Sequence, residues 1–149
     1  MKKIAPAVVA VFLVISWSTT LSAGEDLERL DLEASYCLGV NLKERALWKQ
    51  KWANAPPEPA GYKDPVDKDY KKAIRKIVLY FNARGQGHQN ATAQAKGIMD
   101  ASTCESESME QLNRCDQRCN DVSCGKECST PPVCAKTRAC HNLSERLPM

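Results

Sequence analysis

The sequence predicts an all-α fold, a small bundle of about four helices with a disulfide-stapled, cysteine-rich C-terminal hairpin and an irregular tail. Apolar residues recur at three- and four-residue steps in several segments, and no segment alternates as a half-buried strand would. The chain also contains eight cysteines, seven of which lie in its last third. An even number of cysteines in a small exported domain is typical of a disulfide framework.

The N-terminal segment, residues 1–23, is typical of a cleavable signal peptide. Lys2 and Lys3 precede an apolar run, and Ala23 is a small residue suited to cleavage. The alternative is an uncleaved N-terminal anchor. Cleavage leaves residues 24–149 as a single exported α-helical domain of 126 residues. The short Lys-Lys start is typical of bacteria, so we expect a periplasmic or secreted protein without a transmembrane segment in its mature chain.

The first helix predicted for the mature chain carries one apolar face. Its members follow the helical spacing: Leu27, Leu30, Ala34, Cys37, Leu38 and Leu42. Because Cys37 belongs to this face, its sulfur should point toward the core. Trp48 and Trp52 extend the pattern as packing anchors, whereas Gly39 weakens the expected continuity of the helix. A proline-rich connection over residues 53–66 follows, since its prolines exclude a regular helix or central strand.

The second predicted helix, Asp67–Ala83, is amphipathic and strongly basic. We predict Asp67 as its N-cap and Gly85 as its C-terminal stop. Its basic residues are Lys68, Lys71, Lys72, Arg75 and Lys76. Several lie near the helix N-terminus, where the macrodipole prefers anions, so this face is a candidate surface for an anionic partner. The alternative is a core-packed helix with a solvated basic face. Few aromatic residues accompany the lysines, which disfavours nucleic acid as a partner.

Two further helices are predicted before the last cysteines. Asn90 suits the N-cap of a third helix that extends to Ser102. Ser106 or Ser108 is expected to begin a fourth helix, with Cys115 and Cys119 on one stripe. Pro131 and Pro132 then end the cysteine cluster, and the remaining residues are expected to form an irregular, stapled tail.

The cysteine-rich region, residues 104–140, contains two Cys-x3-Cys pairs separated by four residues. Residues four apart share a helix face, and a four-residue loop suits a helical hairpin. Nested bonds are then expected between Cys119 and Cys124 and between Cys115 and Cys128. The other four cysteines are Cys37, Cys104, Cys134 and Cys140. A bond from Cys37 to the C-terminal cysteines would tie the first helix to the tail.

A metal site is the main alternative for Cys115, Cys119, Cys124 and Cys128, because their spacing falls within the range of zinc ligands. An oxidising compartment converts neighbouring thiols into disulfides, so neither a metal nor a cofactor is predicted. A redox role typically uses Cys-x2-Cys, and covalent haem attachment uses Cys-x2-Cys-His. Here five residues separate Cys134 from Cys140, which precedes His141.

Catalytic motifs are absent from the sequence. Only His88 and His141 are available for histidine-dependent catalysis, and no nucleophile elbow, zincin motif or phosphate-binding glycine loop occurs. A small hydrolase that uses two carboxylates needs no motif and remains an alternative. The leading prediction is a non-catalytic binding protein of the cell envelope or secretome, whose partner is another protein or an anionic surface.

Charge is distributed unevenly along the chain. Residues 43–76 contain ten basic and five acidic residues, whereas residues 100–128 contain three basic and seven acidic residues. The two regions are expected to neutralise each other within one fold, although they could also face different partners. Without Lys2 and Lys3 the formal net charge is only +1, so a basic field of the whole molecule is excluded.

Overall fold

The computed structural model describes the backbone of residues 9–53, 64–118 and 131–148, and the side chains of residues 24–53, 64–113 and 131–148. Its elements are α1 (Val9–Ala53), α2 (Pro65–Arg84), a 3-10 turn (Gln86–His88), α3 (Ala91–Arg118) and α4 (Pro132–Arg146). These ranges contain no strand, so the predicted all-α fold with about four helices is confirmed. Within them, no helix combines the length and the apolar character needed to cross a membrane.

Helix α1 lies at the centre and contacts each of the other three helices. Helix α2 runs antiparallel to it. The Tyr80 hydroxyl, near the end of α2, donates to Asp31 of α1 at 2.6 Å. At the other end, the Trp48 indole donates to Asp64, just before α2, at 2.5 Å. The core between the helices is built mainly from Ala34, Cys37, Leu38, Val40, Ile77, Tyr80, Phe81, Ala101, Cys140 and Leu143.

Helix α3 runs parallel to α1, and the two cross at a pair of glycines. A Cβ atom on Gly39 would lie 2.0 Å from the Gln94 carbonyl oxygen, and one on Gly97 would lie 2.1 Å from the Tyr36 carbonyl oxygen. Only glycine permits this backbone-to-backbone approach. Helix α1 therefore continues unbroken through Gly39, which serves as a contact point between helices.

The predicted N-cap of α2, Asp67, is wrong. The helix begins at Pro65, and its N-cap is Asp64, whose Oδ1 accepts a hydrogen bond from the Val66 amide at 2.9 Å. The predicted cap, Asp67, lies inside the first turn. Proline lacks a backbone N–H. It fits the first helical position because an N–H there would have no hydrogen-bond partner within the helix. The predicted stop is confirmed, since Gly85 ends α2 with a φ of 101°.

Helix α3 replaces the two helices predicted for this region. Its N-cap is Asn90, as predicted, because the Asn90 side chain accepts from the Ala93 amide at 2.8 Å. The serines expected to begin a new helix instead lie within this one. The hydroxyls of Ser102 and Ser106 donate to the carbonyls four residues earlier, at 2.9 and 3.1 Å. This bonding satisfies a serine hydroxyl inside a continuous helix.

Helix α4 shows that the predicted irregular tail is wrong. Pro132 occupies the start of the helix, where proline is tolerated. Every third residue thereafter is buried: Cys134, Thr137, Cys140 and Leu143. The two prolines therefore begin a helix that packs one face on the core. The predicted hairpin lies outside the described residues, since the structure describes only the backbone of Cys115 and does not describe Cys119, Cys124 and Cys128.

Two disulfides attach α4 to the rest of the bundle. Cys37 of α1 bonds Cys140 across a separation of 103 residues, and Cys104 of α3 bonds Cys134 across 30 residues. Disulfide bonding, predicted from the cysteine count, is thus confirmed. By the chain-entropy relation, loops of these lengths stabilise the fold by about 4.7 and about 3.6 kcal/mol, respectively. That contribution is large beside the net stability of a small domain.

The glycine crossing leads to a test of the fold. Gly39→Ala or Gly97→Ala should each lower the free energy of unfolding by about 3 kcal/mol or more, because the added methyl meets backbone atoms that cannot rotate away. For a domain of this size the melting temperature should fall by roughly 10 °C. Thermal and urea unfolding measure both. Gly87→Ala is the matched control, since nothing lies within 4 Å of a Cβ there. An unchanged melting temperature in both helix variants would contradict the close crossing.

Candidate binding groove between α2 and α4

A groove of about 370 Å³ separates the first half of α2 from the second half of α4. It exists because α2 and α4 both pack on α1 but make little contact with each other. Its floor includes Asn41 of α1, which is 1% exposed and donates through its side-chain amide to the Cys37 carbonyl at 2.8 Å. The walls are formed by Val66, Asp69, Tyr70, Lys72, Ala73 and Lys76 of α2 and by His141, Ser144 and Glu145 of α4.

Two residues of the groove, Tyr70 and His141, share a carboxylate that joins three helices. Glu44 of α1 lies 2.9 Å from the His141 imidazole of α4. It also accepts a hydrogen bond from the Tyr70 hydroxyl of α2. Burial, followed by the Glu44 charge, raises the pKa of Tyr70 to about 12, so this hydroxyl stays protonated and donates. The Tyr70 and His141 rings meet edge to face, with centroids 6.3 Å apart.

Lys76 of α2 connects the two walls of the groove, since its ammonium group donates to the Ser144 carbonyl of α4 at 3.1 Å. Three further charged side chains line the groove, Asp69, Lys72 and Glu145. None of the three forms an ion pair with another described residue. The groove therefore presents acidic and basic groups that no described residue pairs with.

The predicted basic surface of α2 is divided by the fold. Lys72 and Lys76 line the groove, and Lys72 is also exposed on the surface together with Lys68 and Arg75. Lys71 forms an ion pair with Asp67, in which its Nζ lies 2.6 Å from Oδ2 of the carboxylate.

Asp67 serves the fold by holding two basic side chains. Arg45 of α1 donates to Asp67 at 2.7 Å, in addition to the contact from Lys71. Hydrogen bonds from Arg45 and then from Lys71 lower the pKa of Asp67 to about 2. The ion pair joins α1 to the first turn of α2, so Lys71 is excluded from the candidate surface.

A second polar cluster surrounds Asp31, away from the groove. This carboxylate is 5% exposed, accepts hydrogen bonds from Tyr80 and from Arg84 at 2.8 Å, and lies 3.1 Å from Nδ1 of His88. Burial opposes its ionisation, but hydrogen bonds from Arg84 and Tyr80 outweigh burial and hold the pKa of Asp31 below its usual value. The cluster joins α1 to the end of α2 and serves packing. His88 is exposed on the surface of the loop, and its ring lies next to this cluster.

Several groove residues were missed by the sequence reasoning. Asn41 and Glu145 belong to no motif, and His141 was noticed only as the neighbour of Cys140 and as one of the two histidines available for catalysis. The only available signal was the three-residue spacing of the buried positions in α4, which places His141 and Ser144 on one side of a helix. That signal was hidden because the segment was assigned to an irregular tail.

The described residues hold no group of three or more histidine, cysteine, aspartate or glutamate side chains arranged to bind a metal ion. The predicted alternative metal ligands lie outside those residues. Comparison with protein-family models, with curated proteins and with solved structures finds no match for this chain.

The His141–Glu44 contact predicts a pH dependence of stability. The hydrogen bond to Glu44 outweighs burial and raises the pKa of His141 above 6.5, its ordinary value, while Arg138 opposes the rise. Charged His141 therefore stabilises the fold fully below about pH 6.5, and this contribution is lost as the pH rises through the raised pKa.

Urea unfolding of the wild type and of His141→Gln measures this effect. The difference in unfolding free energy should be largest near pH 6 and should shrink by about pH 8, because glutamine never carries charge. Glu44→Gln should likewise remove the pH-dependent part. A difference that stays constant over this range would show that the imidazolium does not interact with Glu44.

Proposed function

We propose that this chain is an exported, disulfide-stabilised helical protein that binds an anionic partner without catalysis. The binding surface is the basic face of α2, defined here as Lys68, Lys72 and Arg75. The observation that carries the proposal is that these three residues share one exposed face and form no ion pair with any described acidic group. Residues four and seven positions apart lie on one side of a helix, so their charges add.

The other basic residues of α2 differ in how they are used. Lys71 binds Asp67, Arg84 binds Asp31, and Lys76 donates to a carbonyl. Next to the basic face, Val78 and Leu79 are 41% and 47% exposed. A surface that joins basic and aliphatic side chains suits an anionic partner with some apolar surface, either another envelope protein or an anionic membrane.

Export is supported by the disulfides, because such bonds persist in oxidising compartments such as the bacterial periplasm. The described core begins at Leu30, and residues 24–29 are exposed. Cleavage after Ala23 would therefore keep every described core residue. Signal cleavage and a periplasmic or secreted location are parts of the proposal.

Charge reversal of the basic face tests the proposal. The mature wild-type protein should bind vesicles that contain phosphatidylglycerol, or soluble polyglutamate, in cosedimentation and fluorescence anisotropy. The triple variant Lys68→Glu, Lys72→Glu, Arg75→Glu should lose at least about tenfold in affinity, because each basic group near an anionic surface contributes on the order of 1 kcal/mol. Raising the salt concentration should weaken wild-type binding as well.

A matched control variant distinguishes an effect of the basic face from an effect of the overall net charge. Lys43→Glu, Lys49→Glu, Arg138→Glu makes the same change in charge at sites outside α2 and should retain most of the binding. Equal loss in both triple variants would mean that only the overall charge matters. Absence of wild-type binding to both probes would overturn the proposal. Circular dichroism and melting temperature confirm that each variant remains folded.

Intact mass distinguishes the disulfide framework from the metal alternative. Since all eight cysteines are expected to pair, reduction of the exported protein should add about eight hydrogens, with no metal retained under native spray. A gain of about four hydrogens with bound metal would instead assign Cys115, Cys119, Cys124 and Cys128 to a metal site. The same spectrum locates the signal cleavage point.

A carboxylate-dependent hydrolase is the remaining candidate function. One observation favours it, since the groove contains a carboxylate on each wall, Asp69 on α2 and Glu145 on α4. Two carboxylates that flank a cleft are the usual requirement for glycoside hydrolysis. Binding through the basic face is the stronger proposal because it uses charges that no described group neutralises.

A further inference from the structure

We infer that the groove between α2 and α4 binds a small zwitterion that carries both an ammonium and a carboxylate group, namely a free amino acid or a short peptide. This inference goes beyond the basic face of α2 and does not depend on it. It rests on the charges that line the groove, on the size and lining of the groove, and on the way in which its walls are held.

The charges that line the groove disfavour a ligand that carries only positive or only negative charge. Lys72 and Lys76 provide positive charge, whereas Asp69 and Glu145 provide negative charge, and no ion pair joins them. A plain anion would be attracted by the lysines and repelled by the two carboxylates, and a plain cation would meet the reverse arrangement. A ligand with both charges interacts favourably with all four groups, so charge complementarity selects a zwitterion.

The size and lining of the groove suit such a ligand. Its volume of about 370 Å³ falls within the range usual for small-molecule sites, about 300–1,000 Å³. Val66, Tyr70 and Ala73 form an apolar strip along the α2 wall. An aliphatic side chain or peptide backbone can lie against this strip. The buried Asn41 and the Ser144 residue contribute polar atoms between the charged groups.

The groove is held open before any ligand arrives. Glu44 bridges Tyr70 and His141, and the Lys76 ammonium group donates to the Ser144 carbonyl, so two contacts join α2 to α4. The disulfide at Cys140, next to His141, fixes α4 on α1. A site whose walls are fixed in advance loses little conformational entropy on binding, which favours measurable affinity for a small ligand.

The experiment is isothermal titration calorimetry of the oxidised mature protein with leucine and the dipeptide Ala-Leu as probes. N-acetyl-leucine and leucinamide serve as matched ligands because each lacks one of the two charges. Leucine or Ala-Leu should bind, and each capped ligand should bind at least about tenfold more weakly, as expected for the loss of one charged hydrogen bond.

Protein variants locate the binding in the groove. Glu145→Gln and Lys76→Gln should each weaken binding of the zwitterion about tenfold. Glu145→Gln should bring N-acetyl-leucine closer to leucine in affinity, since one repulsive carboxylate is removed. Lys68→Gln, on the outer side of α2, is the control and should bind as the wild type does. Unchanged melting temperatures verify the fold.

Each contrary outcome overturns the inference. If leucine and Ala-Leu show no saturable heat at millimolar concentration, the groove is not a zwitterion site. If the capped ligands bind as well as leucine, the site is an apolar cleft. If inorganic phosphate binds more tightly than leucine, the lysines form an anion site. The basic face and the groove share only Lys72, and the groove variants Glu145→Gln and Lys76→Gln lie outside the basic face, so the two proposals are tested separately.

Discussion

The backbone contact between α1 and α3 at Gly39 and Gly97 determines where the other elements lie. Because side chains are absent at the crossing, the two helices approach until carbonyl oxygens would touch any added Cβ atom. The approach brings the Tyr36 hydroxyl of α1 within 3.0 Å of Asp100 of α3. Lys136 of α4 then lies over the Tyr36 ring, 4.6 Å from its centroid. The glycines thus set the spacing on which the attachment of α4 depends.

Helix α4 is held to the bundle more by its two disulfide bonds than by the apolar surface that it buries. It is short, and its two buried cysteines bond to two different helices, Cys140 to α1 and Cys134 to α3. In a small domain with a limited core, such bonds supply stability that apolar burial alone does not. The same attachment leaves α4 apart from α2, with Lys76 as one of the few links between them. The groove is therefore a product of the way α4 is fixed, and its charged lining comes from two helices that remain separated.

Local sequence patterns predicted most of the helices. The errors arose where contacts between distant parts of the chain determine the structure. The apolar face around Cys37, the stop at Gly85 and the N-cap at Asn90 follow from rules that act within a few residues. Prolines led to two wrong predictions, because proline interrupts the middle of a helix but is also suited to its first position. Both Pro65 and Pro132 begin a helix. The basic residues of α2 were visible in the sequence. The groove was not, because Asn41, Tyr70 and His141 meet only after three distant segments have folded together.

The bond between Cys37 and Cys140 also sets the order in which the molecule matures. Its two cysteines are synthesised 103 residues apart, so the first must wait as a thiol until α4 has been made. A chain truncated before α4 therefore lacks one wall of the groove. In such a chain Cys37 has no Cys140 to bond with, and its thiol is left open to thiol–disulfide exchange with other molecules.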